Sequence, residues 1–209
     1  GSPCARLALF TISFIARKVL LEDASAALKA ELEPFLNKPG ARQFTAIEIE
    51  KQFVWDYCAA VEDGNPVYWD EEVAKKSRFG RLIAPPNTLM TLNRPAHWLP
   101  KEQQEKAQAI AAALPPSPQA QAREVLAKHG FTTVTVVNRE EEYFEPFGPG
   151  DGRLSMEDRF VAVSDIKTTK VGPGVFFTYE IDYYTERDNR LVGRARNVTL
   201  IYNGSGATK

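Results

Sequence analysis

The chain has 209 residues, 44% hydrophobic and 25% charged, with 14 Pro and 13 Gly. That composition suits an ordinary globular protein and excludes collagen-like, low-complexity or wholly disordered chains. Lys plus Arg number 26 against 27 Asp plus Glu, and there is no basic run, which argues against a nucleic-acid partner. Two cysteines (Cys4, Cys58) and two histidines (His97, His129) lack metal-ligand spacing, so neither a metal nor another cofactor is expected. The sparse cysteines suit a reducing, cytoplasmic setting.

Gly1-Ser2 reads as a cleavage scar. Leu7 to Ala16 is the most apolar stretch, about half the roughly 20 residues a membrane crossing needs. Arg17, Lys18, Glu22 and Asp23 stand between it and the nominal cleavage site Ala24-Ser25-Ala26, where a signal peptide is uncharged. A buried N-terminal element is therefore the expectation. From Arg17 to Leu36 the apolar residues Val19, Leu20, Leu28, Leu32, Phe35 and Leu36 fall mostly at helical spacing, until Lys38-Pro39-Gly40 stops them. Ile49, Phe53, Val54, Tyr57, Cys58 and Val61 predict a second helix, running into the turn signal Glu62-Asp63-Gly64-Asn65-Pro66. Tyr68 to Ser77 reads as one short polar helix. Leu82-Ile83-Ala84 is an apolar loop before Pro85-Pro86, which open a further helix from about Asn87.

Residues 98–129 stand apart. Lys101 to Ala113 and Gln119 to Lys128 are helical in propensity, with Pro115-Pro116-Ser117-Pro118 between them, and fit either a helical insertion or a mobile lid. Beyond His129-Gly130 the chain turns β-branched. Phe131–Val137, Arg153–Val163, Val175–Thr185 and Leu191–Tyr202 predict strands, separated by Gly- and Asn-rich turns. Helices first and then antiparallel strands is an α+β layout. The tail Asn203 to Lys209 reads as a flexible linker.

There is no GxSxG, phosphate loop, dinucleotide fingerprint or HExxH. One dense segment remains: Glu62-Asp63-Gly64-Asn65-Pro66-Val67-Tyr68, five residues, Ala74, and then Phe79-Gly80 and Ile83-Ala84-Pro85-Pro86. It resembles the signature of the MaoC-like hot-dog family of enoyl-CoA hydratases and 3-hydroxyacyl dehydratases, Gly-Asp-x-Asn-Pro-[aliphatic]-His. Glu142-Tyr143-Phe144, Pro146, Pro149-Gly150-Asp151 and Asn189 to Val192 resemble its sheet region. The resemblance implies a hot-dog fold, a curled antiparallel sheet around a central helix, over residues 42–203. An N-terminal helical extension (1–41) would precede it, a helical insertion would interrupt it at about 98–129, and a tail (204–209) would follow.

Hydrating an α,β-unsaturated thioester requires a base for the water, a proton for the α-carbon and a donor for the thioester oxygen. The resemblance assigns the water to Asp63 and position 68, but position 68 is a tyrosine. A phenol with pKa near ~10 is a poor base where an imidazole near ~6.5 is a good one. The family Gly is also replaced, by Glu62. Both departures resemble degenerate hot-dog domains that shape the acyl pocket while a partner hot-dog protein supplies the Asp/His pair. That implies a homodimer or heteromer acting on an acyl-CoA or acyl-carrier thioester as a hydro-lyase. The extra residues at 98–129 suggest a bulky acyl group.

The candidate catalytic residues are Asp63, Tyr68 and His97, with His97 as a replacement base. The candidate substrate-binding residues are Asn65, Ala84, Pro85 and Arg94, with Arg78, Arg81 and Arg94 as phosphate contacts. Bland alternatives stand beside each. Asp63 and Asn65 fit a helix-end turn, Tyr68 fits a packed aromatic, and His129 fits a helix end where positive charge is favoured. Pro149 to Gly152 is legible only as a turn. Two other functions stay open: an independent dehydratase or cyclase on a polyketide-like substrate using Asp63 with Tyr68 or His97, and a non-enzymatic binding or scaffold protein.

Overall fold

A computed structural model describes residues 19–94 and 98–204. The apolar stretch Leu7–Ala16, His97 and the tail beyond 204 lie outside the described residues. Helix α1 covers 19–32 and buries Leu28 and Leu32. A 3-10 turn, Glu33–Phe35, follows, and Asn37 takes the left-handed backbone (φ 57) that stops the helix. The chain then runs along the sheet edge, with Asn37 N donating to Phe160 O (2.7 Å) and Gly40 N to Asp158 O (2.7 Å). It pairs briefly as β1 (Gln43–Phe44).

The helices α2 (Lys51–Ala60), α3 (Pro66–Trp69), α4 (Glu71–Lys76) and α5 (Thr88–Leu92) come next. The expected single helix from Tyr68 to Ser77 is two. Asp70 has extended backbone, so it ends α3 and caps α4, its Oδ1 accepting from Glu72 N (2.8 Å) and Val73 N (3.1 Å). The segment 98–129 is two helices, α6 (Lys101–Ala113) and α7 (Pro118–Lys128). Helix α6 buries nothing. Helix α7 buries Ala122 and Leu126.

The strands are β2 (Thr133–Tyr143), β3 (Leu154–Val163), β4 (Lys167–Thr169), β5 (Gly172–Thr185) and β6 (Leu191–Tyr202). All pairings are antiparallel, in the order β1-β3-β5-β6-β2, with β4 beside β5, and the sheet does not close. Alternation sends Arg139, Glu141 and Tyr143 of β2, Gly193, Ala195 and Asn197 of β6, and Tyr179, Ile181 and Tyr183 of β5 to one face.

Two cores cover that inner face. In one, Leu89 and Leu92 of α5 pack on Leu154, Tyr183, Val192 and Ala195, together with Val54, Cys58 and Phe147. The helix lies so close that a Cβ on Gly193 would sit 2.5 Å from Leu89 Cδ1, which explains the glycine at mid-strand. In the other, Leu28 and Leu32 of α1 and Ala122 and Leu126 of α7 pack on Phe160, Phe177, Val175 and Ile201, with Phe160 and Phe177 stacked 4.5 Å apart. The opposite face carries a charged lattice. Arg159 and Arg194 bracket the buried Asp182, and Arg196 reaches Glu180.

The insertion is thus structural where it is buried. Ser117 at its centre donates to Asp158 Oδ2 (3.0 Å) and, with Asn93, Met156 and Ile181, borders a cavity of about 180 Å3. None of its residues borders the cavity that Tyr68 lines. His129 caps α7, and its Nε2 also pairs with Glu31 of α1 (3.1 Å), so it ties insertion to extension.

Candidate active site

The signature loop connects α2 to α3. Asp63 Oδ1 accepts from Asn65 N (3.0 Å), Asp63 O accepts from Trp69 Nε1 (2.7 Å), and Asp63 N donates to Cys58 O (2.9 Å). Asn65 Oδ1 caps α3, accepting from Val67 N (3.3 Å), with Pro66 at the first helical position. The Asp-x-Asn-Pro pattern therefore forms a turn stabilised by its own side chains. Asn65 is exposed. Tyr68 is half-buried, and its phenol is pushed above its usual value, chiefly by burial and then by the nearby Asp63 and Cys58. It is not poised as a base.

Tyr68 lines a cavity of about 260 Å3 together with Arg78, Phe79, Ile83, Ala84, Pro86 and the segment Tyr143 to Phe147. Ala84 is a wall residue. Pro85 is buried behind the wall, where its carbonyl accepts from Thr88 N (3.0 Å) and Thr88 Oγ1 (2.7 Å) to start α5. Arg94 is exposed and lines no part of this cavity. Of the three arginines proposed for phosphates, Arg78 borders the cavity with its guanidinium 4.7 Å from the Phe79 ring centre. Arg81 is instead committed to Asp151.

Asp151 is a residue whose weight the sequence hides. It is fully buried within an ordinary Pro-Gly-Asp-Gly turn. Its Oδ2 accepts from Gly148 N (3.0 Å) and Arg81, and its Oδ1 accepts from Arg190 (3.3 Å) and forms an ion pair with Arg187 (3.0 Å). This anchors the 146–151 loop against the 82–84 loop, where Ala84 N donates to Phe147 O (2.8 Å). A Cβ on Gly148 would lie 2.7 Å from Ile83 Cα, so the two backbones touch at the cavity wall.

Tyr143 and Phe144 were also missed as site residues. Both are exposed at the end of β2, which among the described residues pairs with β6 alone, and Val134, Val136 and Val137 are exposed along it. The apolar part of this edge is its first half, Val134 to Val137, whereas Asn138 to Glu142 is polar and charged; an unpaired edge offers its backbone groups to another chain or domain.

Residues 41–194 match the family described as "FAS1-like, dehydratase domain region". The chain belongs to that family. A Thermomonospora curvata protein named "Probable enoyl-CoA hydratase alpha subunit" is 27% identical over 170 residues, 79% of this chain and 48% of that protein. The chain thus spans about half the length of this curated relative. Two solved structures share the hot-dog fold. A chain of the ChsH1-ChsH2 complex from Mycobacterium tuberculosis has a TM-score of 0.63 at 19% identity, covering 89% of this chain and 93% of the other. A MaoC-like dehydratase from Rhodospirillum rubrum has a TM-score of 0.50 at 17% identity, covering 78% and 92%. Among the described residues of this FAS1-like dehydratase-region chain, no helix is long and apolar enough to cross a membrane.

Proposed function

We propose that this chain is the pocket-forming hot-dog component of a cytoplasmic hydratase/dehydratase acting on an acyl thioester, of the enoyl-CoA or 3-hydroxyacyl type. A second hot-dog domain or subunit supplies the proton-transfer pair. One observation carries the reading: at the signature loop Asp63 is engaged in its own turn and position 68 is a half-buried phenol, while the adjoining cavity is intact. The free β2 edge supports assembly through the sheet. The names of the relatives, a hydratase α subunit and a chain of a two-component complex, point the same way. Tyr68 and Ala84 then belong to the pocket, and Asp63 and Asn65 to the turn that positions Tyr68, rather than to the chemistry.

The test is hydration of an enoyl-CoA, followed by loss of the conjugated-enoyl absorbance, for the chain alone and co-expressed with candidate hot-dog partners. Little turnover alone, turnover in an assembly, and less than a tenfold loss on Asp63→Ala in that assembly are expected. Turnover by the chain alone that Asp63→Ala abolishes would replace this reading with the independent enzyme. Ligand binding without turnover in any assembly would favour the scaffold.

A further inference from the structure

The cavity holds two phenols in opposite hydrogen-bonding states. Tyr143 shares the inner face of β2 with Glu141 and Arg139, since residues two apart on a strand point the same way. Its hydroxyl donates to Glu141 Oε2. Glu141 Oε1 accepts from Arg139 Nε (2.9 Å) and from a second nitrogen of the same guanidinium. Arg139 is held in turn by Asn197 Oδ1 (2.9 Å) and the Tyr183 hydroxyl, which accepts from Asn93 Nδ2 (3.2 Å). The Arg139 and Glu141 side chains are only 22% and 15% exposed, so the array is set before any ligand arrives. A carboxylate facing a guanidinium only accepts. The proton between Tyr143 and Glu141 is therefore the phenol's, and the Tyr143 oxygen offers the cavity a lone pair and no donor. Tyr68, on α3, has no hydrogen-bond partner for its hydroxyl among the described residues and is free to donate.

We propose that Tyr68 and Tyr143 together read a secondary amide, Tyr68 donating its O–H to the amide oxygen and Tyr143 accepting the amide N–H. The idea rests on the acyl-thioester reading above. The pantetheine arm, shared by CoA and carrier proteins, is where such a substrate carries secondary amides. Most of the other walls are apolar (Phe79, Ile83, Ala84, Pro86, Phe144 and Phe147) and suit the carbon segments beside an amide; of the two charged wall residues, Arg78 lies over the Phe79 ring and Glu145 pairs with Arg190. A thioester carbonyl accepts but cannot donate, so Tyr143 discriminates against it. The cavity thus holds the arm, and the reacting carbons lie elsewhere, which agrees with a pocket that lacks its own proton-transfer pair.

The test compares S-methyl pantetheine with an analogue whose amide N–H groups are replaced by ester oxygens, by calorimetric titration of the folded chain. The amide probe binds at least about tenfold more tightly, because the ester leaves the Tyr143 oxygen facing another acceptor. Tyr143→Phe, at a residue 44% exposed and tolerant of change, removes the discrimination between the probes, as does Glu141→Gln in part by freeing the phenol proton. Tyr68→Phe weakens both probes alike, because both keep the carbonyl. Equal binding of the two probes to the unaltered chain, or discrimination that survives Tyr143→Phe, overturns the proposal. So does failure of S-methyl pantetheine to bind while an assembly containing the chain hydrates enoyl-CoA, a result that leaves the functional reading standing. Amide discrimination without hydration in any assembly does the reverse.

Discussion

Replacing Asp151 by Asn keeps the shape of a fully buried side chain that faces three arginines and removes its charge. Both carboxylate oxygens are engaged: Oδ2 accepts from Gly148 N and Arg81, and Oδ1 accepts from Arg190 and pairs ionically with Arg187. An amide has one oxygen, so in either orientation its NH2 faces donors, and three guanidinium groups lose their common counter-ion. Removing one partner of a buried ion pair costs about 3–5 kcal/mol. Arg187 is 53% exposed, so solvent screens part of that loss and the lower end applies, about 3 kcal/mol. For a chain of this size each kcal/mol moves the melting midpoint by about 2–4 °C, so a fall of about 6–12 °C is expected by calorimetry, with a matching shift in the urea midpoint. Arg187→Ala, at the most exposed of the three arginines, should cost no more than about 1 kcal/mol. A loss under about 1 kcal/mol for Asp151→Asn would refute the idea that this buried charge organises the cavity loop.

Gly148→Ala places a Cβ 2.7 Å from Ile83 Cα and 2.9 Å from Leu82 O. Backbone cannot swing aside, so overpacking of about 1–3 kcal/mol is expected, with loss of probe binding at the Tyr68 cavity; unchanged urea unfolding and unchanged binding would show that the two loops are looser than described. Leu126→Ala empties a fully buried site on α7 and should cost about 2–5 kcal/mol in chemical denaturation, whereas Ile110→Ala on the exposed α6 should stay within about 0.5 kcal/mol. If the two losses were alike, α7 would not be part of the core. Burial is the leading cause that raises the phenols of Tyr57, Tyr68, Tyr143 and Tyr183 above the ordinary value. A raised folded-state value means the stabilisation is complete below the unfolded pKa near ~10 and is lost as pH climbs through the folded values. Urea midpoints should hold between about pH 7 and 9 and fall above about pH 10; a midpoint that rises there would reverse the sign of the argument.

Local signals in the chain were enough for the elements of the fold. The segments 175–185 and 191–202 are rich in β-branched and aromatic residues, which suit a packed, pleated surface, and Asn65-Pro66 announces the start of α3 because its side chain and ring act within a few residues. The substitution of a phenol at position 68 could likewise be read directly, and with it the absence of an imidazole. Short elements escaped. β1 and β4 are too brief to show a period, and the break at Asp70 depends on one extended residue. Tertiary structure decided the rest, because it depends on what distant segments bring together. Asp151 looks like any turn residue until Arg81, Arg187 and Arg190 converge on it from 36 or more positions away. Arg139, Glu141 and Tyr143 are merely alternating residues until pairing with β6 shows which face they share and Asn93 and Tyr183 close the array beneath α5. The insertion's role also could not be read locally, since helical propensity is the same for α6 and α7, and only packing against Phe160 and Phe177 makes one of them core. Periodicity and capping act over a few residues and can be read in one dimension, whereas charge pairing and burial are set by contacts between segments far apart in the chain.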